Sequence, residues 1–96
     1  MQFTWDPSKD DRNFRKHGVW FEAAQHAFSD PALLAFEPQV ERGEYRFPVL
    51  GMIGNHTVLY IAYVYEIDPA TGEEIIRIIS ARKASPYERK LYHEHR

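Results

Sequence analysis

Two short basic segments near the ends of the chain carry the side chains best suited to chemistry. The first is Asn-Phe-Arg-Lys-His-Gly at 13–18, and the second is Arg-Ile-Ile-Ser-Ala-Arg-Lys-Ala at 77–84. Cationic side chains and hydrogen-bond donors at the edges of folded elements bind phosphate oxygens. A fold that brings the two segments together would hold a phosphate backbone, so RNA is the first substrate class that the sequence indicates.

RNA cleavage without a metal needs a base for the 2′-hydroxyl proton, cations for the crowded phosphorus, and an acid for the leaving oxygen. His17 is the best candidate for the base, because histidine exchanges protons near neutral pH and the charge of Lys16 favours its neutral form. The alternative is structural, since a histidine at a helix C-terminus can simply cap carbonyl groups. Lys16 could equally clamp a phosphate or be a solvated lysine.

The last predicted strand carries cations on both of its faces. Arg77 and Lys83 share one face if the strand is regular, and Arg82 lies on the other. Because an unpaired arginine is costly to bury, either this face is open and functional or Arg77 pairs with an acid such as Glu44 or Glu66.

Other candidates surround these arginines. Arg82 precedes the last helix, whose positive N-terminus attracts anions. Glu44 and Arg46 alternate along a neighbouring strand and could supply a base and a cation, or form a cross-strand salt bridge. Tyr87 and Tyr92 could stack on a nucleobase, or pack down on the sheet.

These considerations give one set of predicted site residues. We predict catalytic roles for His17, Glu44, Arg46, Arg77 and Arg82. We predict RNA contacts for Asn13, Lys16, Lys83, Arg89 and Tyr92. The histidines at 93 and 95 are too close in sequence to face one way on a helix, so we predict no metal site and no cofactor.

The composition limits the class of protein. A chain of 96 residues with 44% hydrophobic and 15% aromatic content forms one small domain with its own core. The absence of cysteine excludes disulfides, thiolate metal sites and a cysteine nucleophile. We find neither an apolar run of membrane-spanning length nor a signal peptide, and expect a soluble cytoplasmic protein.

The charge is unevenly distributed along the chain. A formal charge of −2 by itself argues against nucleic acid. However, residues 77–96 hold six Lys or Arg against two acids, whereas residues 21–76 hold two against nine. A local basic patch can bind phosphate despite an acidic total, because salt screens charges beyond about 8 Å. The alternative is that these cations form a solvated surface.

The elements that must position these residues follow from caps and periodicity. Asp6 and Pro7 begin a helix that ends at Gly18, and Ser85, Pro86 and Glu88 begin another. A further helix is predicted over 21–28, with strands over 3–5, 33–36, 45–53, 57–67 and 74–84 and a loop over 38–43. We predict an α+β fold, with an antiparallel sheet of about four strands, two N-terminal helices and one C-terminal helix. The strand over 57–67 is apolar on both faces, which predicts a central position.

The sequence resembles the BrnT family over nearly its whole length. The shared residues are 3–9, Asn13, 16–19, 21–24, Phe28, Asp30 and Pro31, then 44–47 and Gly51, then 77–84, Glu88, Arg89 and Tyr92. BrnT is the toxin half of a bacterial type II toxin–antitoxin pair. The resemblance implies a single RelE-like domain over 1–96 and a ribonuclease that stops translation. It also implies a BrnA-type antitoxin that binds operator DNA and represses the operon with the toxin bound.

The resulting expectation is a metal-independent RNA endonuclease toxin. The chain departs from the family in a longer acidic turn over 66–74, without the Thr and Arg that commonly precede the second basic segment. Two alternatives therefore stay open: a catalytically weak or inactive partner-binding corepressor, and an RNA-binding domain without cleavage.

Overall fold

The computed structural model describes residues 1–54 and 56–95. These residues form three α-helices, α1 (Pro7–His17), α2 (Phe21–Ala24) and α3 (Pro86–His95), and a 3₁₀ helix over Gln25–Ser29. The strands are β1 (Gln2–Thr4), β2 (Leu34–Ala35), β3 (Gln39–Glu41), β4 (Glu44–Ile53), β5 (Thr57–Ile67) and β6 (Glu74–Lys83). The predicted α+β class is confirmed. Within the described part of the chain, no helix is long and apolar enough to cross a membrane.

The strands form one open, mixed sheet. Its order is β1-β6-β5-β4-β2, and β3 pairs with the beginning of β4. Two features correct the predicted antiparallel sheet of about four strands. The segment Gln39–Glu41, predicted as a loop, is a strand, and β1 pairs in parallel with β6. The β1 pairing joins the two ends of the chain, so no local pattern indicates it. A RelE-like topology stays a prediction.

The helix ends follow the predicted capping chemistry. The Asp6 carboxylate accepts a hydrogen bond from the Ser8 backbone N–H at 2.9 Å, and Gly18 ends α1 in the left-handed region with φ 71°. At the start of α3, the Ser85 N–H donates to Glu88 at 2.8 Å and the Glu88 N–H donates to the Ser85 hydroxyl at 3.2 Å, which is a capping box. The second predicted helix is α-helical only to Ala24 and then tightens into the 3₁₀ helix.

Apolar side chains cover the sheet on both faces. Phe21 of α2 packs with Ile61 and Ile78 on one face, and Tyr92 of α3 packs with Leu50 on the other. The central position predicted for β5 is confirmed. Its last three residues, 65–67, are exposed, so the cover ends before the strand does.

The 3₁₀ helix lies directly against β4 at Gly51. A Cβ atom at this position would lie 2.9 Å from Ala27 Cβ and 2.9 Å from Leu33 Cδ1, which is closer than carbon atoms can pack. Glycine therefore allows this close approach, and β4 is held from the α1 and α2 side.

The sheet is irregular where the two long strands change register. Ala62 pairs with Ser80 and Tyr63 with Ile78, so Ile79 is an extra residue on β6. On β4, Pro48 lies where the partner changes from β2 to β3, and its carbonyl accepts from the Phe36 N–H at 3.0 Å. An N–H at Pro48 would point to the gap between β2 and β3, so proline costs the sheet no backbone hydrogen bond.

Candidate functional site

Three cations lie on one side of α1. Lys9, Arg12 and Lys16 are spaced three and four residues apart, which places them on one helical face. Gly18 ends the helix immediately afterwards, so Lys16 and His17 lie in its last turn, where cations complement the helix dipole.

The β3–β4 hairpin carries two more cations. Arg42 and Gly43 form its tip with φ values of 52° and 76°, as in the two-residue turns that suit strand twist. Arg46, opposite Gln39, is mostly buried with 21% of its side chain exposed. Its Nη1 lies 3.6 Å from Glu41 Oε2, and its Nε, which is buried, has no hydrogen-bond partner among the described residues. Arg46 therefore retains a buried donor that no group in this part of the chain satisfies.

These two elements face each other across an open cleft of about 530 Å³, which we call the cationic cleft. Its walls and floor are formed by Lys9, Arg12, Asn13, Lys16, His17, Glu41, Arg42, Arg46, Ile79 and Ser80. Five of these residues are Lys or Arg and one is an acid. The floor is formed by Ile79 and Ser80, at the bulge of β6. The five cations suit a polyanionic ligand, and His17 lies beside them as a group that could transfer a proton.

Asn13 fixes α1 to the sheet. Its side-chain amide donates to the carbonyls of Val19 at 2.9 Å and Ala81 at 2.8 Å, and its carbonyl accepts from the Ala81 N–H at 3.2 Å. β1 pairs only with residues 75–77 of β6, so the edge of β6 at Ala81 faces no strand. Asn13 bonds the Ala81 N–H and carbonyl, as a neighbouring strand would. Asn13 was predicted to contact RNA, but its amide is buried and fully used inside the protein.

Arg77 and Glu44 lie together, next to the cationic cleft but outside its lining. Arg77 Nη2 lies 2.8 Å from Glu44 Oε2, and its Nε lies 3.5 Å from Glu66 Oε1. The sequence left open whether Arg77 pairs with Glu44 or Glu66, and in the structure it contacts both. Because Glu44 begins β4, these contacts also hold the strand that carries Arg46.

Arg82 is bound at the start of α3. Its two terminal nitrogens donate to the Glu88 carboxylate at 2.7 and 3.0 Å, and its guanidinium lies 4.3 Å from the centre of the Tyr60 ring. The carboxylate raises the pKa of Arg82, and the same hydrogen bond lowers the pKa of Glu88 to about 2. Arg82 thus ties β6 to the last helix.

The other predicted RNA contacts lie near this helix. Lys83 is exposed at the end of β6, and Arg89 donates to the Ala84 carbonyl at 3.0 Å. Tyr92 is 1% exposed, and its hydroxyl donates to Asp30. Of the two roles considered for it, stacking on a base or packing on the sheet, the structure shows the second. None of the three lines the cationic cleft.

The fold thus divides the predicted site. It brings Asn13, Lys16, His17 and Arg46 together in the cationic cleft and places Arg77 and Arg82 in separate ion pairs. Three cleft cations were missed by sequence reasoning: Lys9, Arg12 and Arg42. The helical spacing of the first two was a usable signal, whereas Arg42 lay in a segment predicted as a loop. Among the described residues, no group of three or more His, Asp or Glu is placed to hold a metal ion.

Comparison with known proteins identifies the family. Residues 5–88 match the family described as the ribonuclease toxin, BrnT, of type II toxin-antitoxin systems. No curated protein matches the chain. Because the match covers most of the sequence, the chain belongs to the BrnT ribonuclease toxin family, whose members act with an antitoxin partner.

Proposed function

We propose that this BrnT-family protein is a metal-independent RNA endonuclease that inhibits translation and is neutralised by a BrnA-type antitoxin. The cationic cleft carries the proposal, because it gathers five cations and His17 from two elements that are distant in sequence. The family match supports ribonuclease chemistry.

In the proposed reaction, the 2′-hydroxyl of the RNA attacks the adjacent phosphorus. His17 accepts the hydroxyl proton, the bond from phosphorus to the 5′ oxygen breaks, and that oxygen takes a proton from water. The products are a 2′,3′-cyclic phosphate and a 5′-hydroxyl, and His17 returns its proton to the solvent. Arg46 donates to the non-bridging oxygens as negative charge develops, through its terminal nitrogens, of which Nη1 lies 3.6 Å from Glu41 Oε2. Lys16 binds a neighbouring phosphate.

The other predicted catalytic residues, Glu44, Arg77 and Arg82, contribute to the proposed reaction in different ways. Glu44 and Arg77 hold the beginning of β4 and so position Arg46. For direct contact with phosphate, Arg77 and Arg82 would have to exchange their carboxylate partners for the substrate. Such an exchange is available to charge-assisted hydrogen bonds at a partly exposed site.

The antitoxin completes the proposal. A cleft that attracts phosphate also attracts carboxylates, so an acidic segment of the antitoxin can cover it and exclude RNA. We propose that the BrnA-type partner neutralises the toxin in this way and contacts operator DNA itself.

Cleavage by the purified toxin, separated from its antitoxin, tests the function. We expect it to cut single-stranded RNA in EDTA and to spare a strand with a 2′-deoxy sugar at the cleaved position. Arg46→Ala and His17→Ala should each lower the rate by about 100-fold. Arg15→Ala is the matched control, because Arg15 lies on α1 outside the cleft and pairs with Asp11.

Two results would refute the mechanism. One is a strict requirement for an added divalent metal. The other is full activity of Arg46→Ala and His17→Ala at unchanged thermal stability, which would place the reaction elsewhere.

The corepressor is the second candidate, and the ion pairs of Arg77 and Arg82 favour it, since both guanidinium groups already have carboxylate partners that a phosphate would have to displace. A corepressor would neither arrest growth on induction nor cut RNA, yet it would tighten operator binding by its antitoxin.

A further inference from the structure

A second concave surface lies beside the cationic cleft and has no role in the proposed chemistry. It has a volume of about 240 Å³ and lies between α3 and the edge of the sheet. Most of its lining is apolar, from Phe36, Pro48, Tyr60, Tyr87 and Leu91, and Gln39 and Glu88 supply the polar atoms. We call it the aromatic groove.

The rings of the aromatic groove are available to a ligand to different degrees. Tyr87, in the first turn of α3, is 69% exposed, whereas Tyr92 on the same helix is 1% exposed. Tyr60 lies deeper, and the Arg82 guanidinium covers it at 4.3 Å. Because Glu88 neutralises Arg82, this end of the sheet offers stacking surfaces with little net charge.

The aromatic groove and the cationic cleft lie on the same face of the sheet. Arg46 lines the cleft, and Pro48, two residues further along β4, lines the groove. On β6, Ser80 lines the cleft, and Arg82, two residues on, covers Tyr60. Two residues of a strand advance about 6.6 Å. One nucleotide of an extended single strand spans a similar distance.

We propose that the aromatic groove is a nucleobase subsite that holds the base next to the phosphate bound in the cationic cleft. This inference rests on the proposed function, because it takes RNA as the substrate. Tyr87 stacks on the face of the base, as aromatic side chains do in sequence-tolerant binding of single strands. Gln39, at the rim, has both a donor and an acceptor for the edge of the base.

The surroundings favour a base over an apolar peptide side chain as the occupant. The groove lies on the same sheet face as a cleft whose cations outnumber its single acid, so a ligand that spans both carries negative charge next to a planar ring. A nucleotide has this combination, whereas an antitoxin segment would need an acid and an aromatic residue at matching positions.

Binding of an uncleavable RNA tests the subsite separately from catalysis. The probe is a short 2′-O-methyl oligonucleotide with one 2-aminopurine, whose fluorescence falls when the base stacks. We expect Tyr87→Ala to weaken binding about tenfold and to abolish the quenching, and Tyr87→Phe to preserve both. Tyr45→Ala is the matched control, because Tyr45 is 63% exposed on the opposite face of β4.

The possible results separate the subsite from the function. If Tyr87→Ala binds and quenches like the wild type while Arg46→Ala binds weakly, the subsite is wrong and the cleft remains. If quenching depends on Tyr87 but no RNA is cleaved, the subsite stands and the endonuclease proposal fails. If Tyr87→Ala weakens only the antitoxin complex, the groove is a protein-binding surface and the inference is overturned.

Discussion

Arginines of this chain have different roles that depend on the carboxylates beside them. Arg82 has a bidentate partner and Arg77 contacts two acids, whereas Arg42 and Arg46 border an open cleft that contains one acid. A paired guanidinium holds elements together, and one with an unsatisfied donor is available to a ligand. The sequence analysis predicted phosphate binding for Arg46, Arg77 and Arg82. In the structure, the carboxylates beside each arginine decide whether its guanidinium can bind a ligand.

The pair of Arg82 and Glu88 predicts a pH dependence of stability at the residue scale. Arg82 lowers the Glu88 pKa from 4.5 to about 2, so the folded state binds fewer protons than the unfolded state between these values. The stabilisation is present above pH 4.5 and is lost as the pH falls through about 2. Wild type should exceed Glu88→Gln by about 2 kcal/mol in free energy of unfolding at pH 7, and the difference should vanish near pH 2.

Urea unfolding of both proteins at a series of pH values measures this difference. Glutamine can still accept from the Ser85 N–H, so the variant retains the cap, and it loses the charge and one of the two acceptors for Arg82. Glu94→Gln, an exposed change on the same helix, should show no such trend. A difference between wild type and Glu88→Gln that stays constant from pH 7 to 2 would contradict the prediction.

At the scale of elements, α1 is placed by the free edge of β6. An exposed strand edge has unpaired backbone groups, which proteins usually cover. Asn13 satisfies both backbone groups of Ala81 and also the Val19 carbonyl after the helix. One side chain thus sets the distance between α1 and the sheet, and with it the wall of the cationic cleft that carries Lys16 and His17.

Asn13→Ala should therefore destabilise the whole fold. The change leaves three buried backbone groups without partners, and we expect the free energy of unfolding to fall by roughly 3 kcal/mol. Urea denaturation measures it as a lower midpoint at an unchanged slope. Arg12→Ala, an exposed change on the same helix, is the control and should shift the midpoint little. A loss below about 0.5 kcal/mol would show that water replaces the amide without cost.

At the scale of the whole molecule, the proposed functional surface combines segments of opposite net charge. Residues 21–76 are strongly acidic, yet their hairpin contributes Arg42 and Arg46 to a cleft whose other wall is α1. The protein therefore has a local cationic surface although its overall charge is −2. Salt screens the more distant acids, so they weaken phosphate binding at this surface little.

This surface predicts where the antitoxin binds. If an acidic antitoxin segment covers the cationic cleft, hydrogen exchange on the complex should show added protection at residues 16–18 and within 77–92. The free toxin under identical conditions is the reference. Protection confined to residues 37–44 would exclude this arrangement, because only the tip of one wall would then be covered.

The sequence by itself determined the local features of this protein. Asp6, Gly18 and the Ser85–Glu88 box set the helix ends through bonds within a few residues, and the apolar run of β5 indicated its central position. The family match over residues 5–88 confirmed the resemblance, which rested on contiguous motifs.

The tertiary structure decided what depends on distant partners. The parallel pairing of β1 and the Asn13 anchor join residues far apart in sequence. The strand at Gln39–Glu41 belongs to a local hairpin, and it was predicted as a loop because its polar residues carry no strand pattern. The pairing of Arg77 with Glu44 and Glu66, which the sequence offered as one of two alternatives, depends on the register of three strands. Local propensity carries no information about such contacts, because the free energy of an ion pair or a strand edge depends on the groups that the fold places beside it.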